Sequence, residues 1–253
     1  MPTLAQIVEF LDETLGTNYV KDTSKNGLQV SKEDDQVYRI GFAVDASLEA
    51  FERALNANCD LLVVHHGLFW EDPETITGNM FKRIQFLIKN NIALYASHLP
   101  LDKHEIYGNA AQLAKLINLQ NLKPFGKYHD ETVGFAGELD SEQNIIEFVQ
   151  HLKEELNTNK IKALPFGKKE VKTVAIVTGG GSFALTEAAE NGFDVLLTGE
   201  TSHQSFHPAK EEKINVVFAG HYATETLGLK ALAALIKEKF DIEVGFIDIP
   251  TDM

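Results

Sequence analysis

Apolar positions along this chain follow two periods. Near the start, Thr3 with Gln6 has the form of a capping box, and Leu4, Ile7, Val8, Leu11 and Leu15 follow at helical spacing. "VYRIGFAV" then reads as a strand, "SLEAFERALNA" as a helix with Ser47 near its cap, and "DLLVV" as a buried strand. A helix near "MFKRIQFLIKN" leads to the strand "IALYAS", and a further helix is predicted around "GNAAQLAKLI". "ETVGFAGEL" opens a second run, followed by the helix "NIIEFVQHLKEEL" and the polar stretch "NTNKIKALPFGKKEVK". The alternation resumes with "TVAIVT", a glycine loop, a helix, "DVLLT", "INVVFAG", a long helix and "EVGFIDI".

Strands alternating with helices predict an α/β fold with mixed, largely parallel sheets. Two related three-layer α/β units are expected. Residues 1–125 form the first, and residues 126–253 the second, with the C-terminal part able to pack back on the first unit. The relation between the halves is visible without a gap. When Ile40–His66 is laid on Val174–Glu200, Ala50 falls on Ala184, Ala54 on Ala188, Asp60 on Asp194 and Leu62 on Leu196. After a shift of register, "YASHLPLD" falls on "FAGHYATE", so that His98 matches His221 and Asp102 matches Glu225.

Three predicted strands end in histidine: "LLVVHH", "ALYASH" and "VVFAGH". Sites in open parallel sheets form outside the carboxyl ends of strands. Two of these histidines are followed four residues later by a carboxylate. If a helix starts near Tyr222, His221 and Glu225 lie one turn apart on one side. In "HLPLD" the residue before Pro100 is biased to extended backbone, so a loop is expected to bring Asp102 near His98. His65 and His66 would point to opposite faces of a regular strand, unless the chain turns at Gly67.

Neutral imidazole and carboxylate are ligands for borderline and hard divalent metals. His65, His66, Asp102, His221 and Glu225 are the candidate ligands, with His98 a sixth residue at the site. Five or six such groups, two able to bridge, suit two ions roughly 3.5–4 Å apart. No cysteine is among them, which disfavours a structural zinc knuckle. Iron, zinc, manganese and nickel all remain open. Each histidine taken alone is more often a partly buried structural residue; the weight lies in the set. Glu200 and His203 fall where the repeat places His65 and His66. His104 is either a proton carrier or a loop residue, and His129, His151 and His207 read as surface residues.

"TVAIVTGGGS" runs a strand into glycines before a helix, where an anion can sit on Gly180, Gly181 and Ser182. A tight turn accounts for the same residues equally well, and no Gly-Lys-Ser/Thr of a nucleotide loop follows. "NGLQV" carries a turn signal and no other evident purpose.

Composition narrows the classes. With 44% hydrophobic and 24% charged residues the chain is an ordinary globular one. A net charge of −14 disfavours general nucleic-acid binding. One cysteine, Cys59, excludes an internal disulfide and fits a reducing compartment. No basic leader or membrane-length apolar run appears, so a cytoplasmic protein with no membrane contact is expected.

"NGLQV", "AVDAS", "HHGLFW", "SHLPLDKHEIYGNA", the "GGGS" loop, "LLTGETSH" and "GHYATETLG" together resemble the GTP cyclohydrolase 1 type 2 homologue family, also called the NIF-three-like family, in its compact form without a central insertion. The resemblance covers nearly the whole chain, in order. It implies a two-metal centre with His65, His66, Asp102, His221 and Glu225 as ligands and His98 lining the site. It also implies a homohexameric ring, and the family name implies hydrolytic opening of a purine ring with release of formate from a small-molecule, nucleotide-type substrate. His98 is then the expected catalytic proton carrier. Hydrolysis of a phosphoester by the same metals, and a metal-handling or interaction scaffold without turnover, are the alternatives.

Overall fold

The apolar run before His65 is buried on both faces. Leu61, Leu62, Val63 and Val64 are each at 0% exposure because their strand lies in the middle of a sheet. The computed structural model describes residues 1–72 and 74–253. Along the chain the elements are α1 (Leu4–Leu15), β1 (Gly27–Val30), β2 (Arg39–Asp45), α2 (Leu48–Asn56), β3 (Leu61–His66), α3 (Gly78–Lys89), β4 (Ala93–Ala96), α4 (Leu99–Asp102), α5 (Asn109–Leu116), β5 (Gln120–Tyr128), β6 (Glu131–Asn144), α6 (Ile145–Glu155), β7 (Lys162–Pro165), β8 (Glu170–Val177), α7 (Leu185–Glu190), β9 (Val195–Thr198), α8 (Phe206–Glu211), β10 (Asn215–Phe218), α9 (His221–Phe240) and β11 (Glu243–Phe246). They form two units, Met1–Leu101 with Gly228–Ile249, and Asp102–Leu227 with Pro250–Met253.

The sheet of the first unit has the order β1-β4-β3-β2-β11, parallel throughout except for β1 at one edge. Helix α1 begins at the expected capping box. Thr3 Oγ1 accepts from the Gln6 amide at 3.2 Å, and Gln6 Oε1 accepts from the Thr3 amide at 2.9 Å. Gly16, at φ 62°, ends the helix in the left-handed region that glycine tolerates. Its buried stripe is Leu4, Ile7, Leu11 and Leu15. Phe51, Leu62, Val64, Leu87 and Leu94 form the centre of one core cluster.

The sheet of the second unit has the order β5-β6-β8-β9-β10-β7. Only β8, β9 and β10 are parallel; the hairpin β5-β6 and the edge strand β7 pair antiparallel. The mixed α/β architecture with two sheets therefore holds, and the second sheet is the more antiparallel. Leu113, Phe148, Leu152, Ile176, Leu197 and Val217 lie in its core.

Two sequence expectations are corrected here. The division at 125/126 falls inside β5, whereas the units part at Leu101 and again at Leu227. Ala110, Leu113 and Ala114 of α5 bury themselves in the second core. After Gly228 the chain returns, and β11 lies parallel beside β2. The second correction concerns "HLPLD", which is helical over Leu99–Asp102 and not extended. Proline is tolerated in a first helical turn, where its missing N–H has no partner to lose. The Leu99 amide is capped from far away in sequence by Asp22 Oδ2, at 2.9 Å.

The internal repeat is a repeat of structure. Ile40 pairs with Leu61 as Val174 pairs with Val195, and Ala43 pairs with Val64 as Val177 pairs with Thr198. Asp60 Oδ2 accepts the Tyr38 and Arg39 amides at 2.7 and 3.0 Å. Asp194 Oδ2 accepts the corresponding Lys172 and Thr173 amides, both at 3.0 Å. Each aspartate also faces a lysine, Lys32 at 3.7 Å or Lys168 at 2.7 Å. One detail differs from the sequence overlay. Ala96 lies opposite Val64 and Phe218 opposite Thr198, so strand register matches Ala96 with Phe218, one residue out of step with the His98–His221 match. Gly220, at φ 95°, lies between the second strand and its histidine. Among the described residues no helix is long and apolar enough to cross a membrane.

Candidate metal centre

In the first unit His65 and His66 end β3, and His98 follows β4. The three rings converge. Their centroids lie 4.7 Å (His65–His66), 5.1 Å (His65–His98) and 5.8 Å (His66–His98) apart, and one ligating atom from each falls within 4.8 Å of the others. The adjacent histidines thus turn toward one cluster, at the point where the strand gives way to Gly67. A Cβ at Gly67 would overlap the Gln29 side-chain amide and come within 2.6 Å of the Ala96 Cβ, so the turn needs glycine.

Each ring is held through Nδ1. His65 Nδ1 meets the Ser97 carbonyl at 2.9 Å, His66 Nδ1 meets Asp45 Oδ1 at 2.9 Å, and His98 Nδ1 meets Asp22 Oδ1 at 3.0 Å. Carbonyls and carboxylates only accept, so Nδ1 is the proton-bearing nitrogen and Nε2 is left as the donor to a metal or a proton. Register places Asp45 for this task, since it pairs directly with His66 across β2 and β3. Burial alone would raise the Asp22 carboxyl. The hydrogen bond and charge of His98, with donors from Asn26 and the Ser24 amide, instead hold it at about 2.

In the second unit His221 and Glu225 occupy the first turns of α9. His221 Nε2 lies 3.1 Å from Glu225 Oε1, and His221 Nδ1 lies 3.2 Å from Glu200 Oε2. The Glu225 hydrogen bond is the largest cause of a raised His221 pKa, at about 9. Burial opposes it, and the charges of Glu225 and Glu200 add to it. Asp102 is buried and its Oδ1 accepts from Asn109 Nδ2 at 2.9 Å and Thr178 Oγ1 at 3.2 Å.

The glycine loop serves this cluster differently from the expectation. A Cβ at Gly179, which sits at φ +58°, would overlap Glu225 Oε1 and lie 3.1 Å from His221 Nε2. The Gly179 amide donates to Thr224 Oγ1 at 3.1 Å and the Gly181 amide to Thr198 Oγ1 at 3.0 Å. Ser182 Oγ donates to the Glu200 carbonyl at 3.5 Å. The anion cradle expected on Gly180, Gly181 and Ser182 thus loses the Gly181 amide, because neighbouring threonines satisfy the loop from within.

Several residues escaped the sequence reading. Asn26 and Gln29 of "NGLQV" hold the two histidine loops of the first unit. Asn26 Oδ1 accepts the His98 amide at 2.7 Å, and Gln29 Oε1 accepts the Leu68 amide at 2.7 Å. Asp22 and Asp45 carried no signal, since their partners are remote in sequence; Glu200 was flagged by the repeat. The other histidines have local roles. His104 Nδ1 accepts the Ile106 and Tyr107 amides, while His129 and His207 meet the rings of Tyr128 and Phe206 edge to face. His203 starts a short 3₁₀ turn, His203–Ser205. The donors gathered in both units are nitrogen and oxygen. Cys59 lies in an apolar core, where burial pushes its thiol up to about 11.

These features define a mixed α/β protein whose strand ends carry clusters of imidazole and carboxylate. Residues 2–253 match the family model Duf34/NIF3 (NGG1p interacting factor 3), and the chain belongs to that family. It is 46% identical over 248 residues to a Pyrococcus horikoshii protein named GTP cyclohydrolase 1 type 2 homolog, covering 98% of each chain. It is 42% identical over 250 residues to the Archaeoglobus fulgidus protein of the same name, covering 99% of each. The crystal structure of TTHA1606 from Thermus thermophilus superposes with a TM-score of 0.91 at 36% identity, covering 100% of both chains.

Proposed function

We propose that this protein is a metal-dependent hydrolase acting on a nucleotide-type small molecule, with two divalent ions held by His65, His66, Asp102, His221 and Glu225. The observation that carries this reading is the treatment of the histidines. His65, His66, His98 and His221 each have Nδ1 against an acceptor-only group, the arrangement that metal-ligating and proton-carrying imidazoles share. The all-nitrogen-and-oxygen donor set fits iron, zinc, manganese or nickel. Bound there, such ions would supply Lewis acidity and lower the pKa of a water toward neutral.

The chain's own residues do the rest. The Asn109 and Thr178 donors fix the Asp102 carboxylate. Glu200 orients His221, and the proton that Glu225 favours on His221 must leave before that ring can ligate. His98 is one-fifth exposed and stands beside His65 and His66, where it moves a proton between substrate and solvent. The relatives' name supports GTP as the first substrate to test.

The deciding experiment is elemental analysis of protein purified without chelator or nickel affinity, followed by incubation with GTP. Close to two metal equivalents per chain, with formate released, supports the reading. Phosphate release without formate replaces it with a phosphoesterase. No bound metal, even after addition of iron, zinc or manganese, overturns it. The same reading takes the chain to be a homo-oligomer, and a monomeric mass by light scattering would remove that part.

A further inference from the structure

We propose that Asp22 is the positioning residue for His98, fixing the ring with Nδ1 as the proton-bearing nitrogen and Nε2 as the base. Asp22 lies outside regular structure, between the 3₁₀ turn Thr17–Tyr19 and β1, and its side chain is only 2% exposed. Its oxygens collect donors from every side. Oδ1 accepts from His98 Nδ1 at 3.0 Å and the Ser24 amide at 3.1 Å. Oδ2 lies 3.1 Å from His98 Nδ1 and accepts from the Leu99 amide and Asn26 Nδ2, both at 2.9 Å. The His98 backbone is fixed independently, its amide on Asn26 Oδ1 at 2.7 Å and its carbonyl on the Leu101 amide at 2.9 Å. Trp70 closes another side, edge-to-face at 5.1 Å from the His98 ring.

Two comparisons within the molecule single out this pair. The carboxylates behind His66 and His221 are 44% and 53% exposed, so water screens them, and His65 is backed by a neutral carbonyl. Among the described residues Asp22 is the buried carboxylate set behind the Nδ1 of one of these imidazoles, and a buried charge interacts most strongly. Anchoring does not require that charge. A neutral asparagine or serine could cap the Leu99 amide, and burying a carboxylate is costly unless its charge is used. A buried aspartate behind Nδ1 holds the tautomer and stabilises positive charge on the ring as it takes a proton. The inference deepens the proposed function and depends on it only in the kinetic arm below.

The test uses full-length, zinc-loaded protein labelled with ¹⁵N, with His98→Gln to assign the His98 resonances. Long-range ¹H–¹⁵N spectra should show His98 protonated at Nδ1 alone. Asp22→Asn, which keeps an acceptor oxygen for the Leu99 amide, should lose that single tautomer, while Asn26→Ala, which removes the acceptor of the His98 amide and one donor to Asp22 but leaves the Asp22 carboxylate on His98 Nδ1, should keep it. Zinc content should be unchanged in both. With GTP as substrate, Asp22→Asn should lower kcat about 10-fold or more at unchanged KM. Asp22→Asn combined with His98→Gln should be no slower than His98→Gln alone. A wild-type His98 protonated at Nε2, or an Asp22→Asn spectrum identical to wild type, overturns the inference, and the wild-type spectrum decides even if the variant does not fold. Absence of GTP turnover by metal-loaded wild type counts against the hydrolase reading and leaves the spectroscopic result standing.

Discussion

Gln29 Oε1 accepts the Leu68 amide at 2.7 Å while Gln29 Nε2 donates to the Lys25 carbonyl at 2.7 Å, so one side chain ties the turn after His65-His66 to the loop before β1. Gly67 is packed against that same amide. Gln29→Ala leaves the Leu68 amide, in a buried residue, without its acceptor, at a cost of about 1–3 kcal/mol. Gly67→Ala costs a similar amount through overpacking against Gln29 and Ala96. Urea melts of both variants check the stabilities. Zinc titrations should show both binding more weakly than wild type, and wild-type affinity in Gln29→Ala would sever the link between this brace and the histidines.

That brace marks where the sequence stops being readable. A helical period placed α1, and the apolar run before His65 located a central strand, because hydrophobic spacing is a local property. The strand-end histidines and the acids four residues on were visible for the same reason. The groups that aim them were not. Asp22 reaches His98, and Gln29 reaches Leu68, only once β1 pairs with β4. "NGLQV" showed a turn and concealed two loop anchors, since a turn signal says nothing about where the side chains go. Pro100 misled for a related reason: its bias on Leu99 is real, but a cap from Asp22 outweighs it.

Gly179 and Gly180 are neighbours with opposite prospects. At Gly179 the backbone is left-handed and a Cβ would overlap Glu225 Oε1, whereas a Cβ at Gly180 would meet nothing nearer than Glu200 Oε2 at 3.7 Å. Gly179→Ala should therefore destabilise by about 1–2 kcal/mol from backbone strain alone. It should also displace Glu225 and lower metal content. Gly180→Ala should change neither. Thermal melts and elemental analysis of the pair decide it, and equal metal content in both would show that the loop does not set the position of Glu225.

His65→Ala and Glu225→Ala probe the proposed ligands. Each should reduce zinc affinity by more than the ~10–100-fold typical of an outer-shell change. Circular dichroism should report a folded core in both. His151→Ala on α6 is the control: it removes an imidazole that belongs to neither cluster and should keep full metal content. Wild-type metal content in both ligand variants would remove these residues from the assignment.

Asp194 offers a test that involves no metal. Burial would raise its carboxyl, but the Lys168 ammonium, the Lys172 and Thr173 amides and the Thr173 hydroxyl hold it below the usual carboxylate range. A depressed native pKa contributes stability that is present above the unfolded value of 3.8 and is lost as the pH falls through the lower, native value. Asp194→Ala should cost about 1–3 kcal/mol at pH 7, since the partly buried Lys172 and Thr173 amides lose their acceptor. Its deficit relative to wild type should shrink only as the pH is lowered below about 4. Lys168→Ala, whose side chain is 74% exposed and screened by water, should cost far less than Asp194→Ala. Urea melts of wild type and both variants at pH 7, 5 and 3 check this. A deficit for Asp194→Ala that is the same at every pH would mean that Asp194 acts through packing and not through its charge.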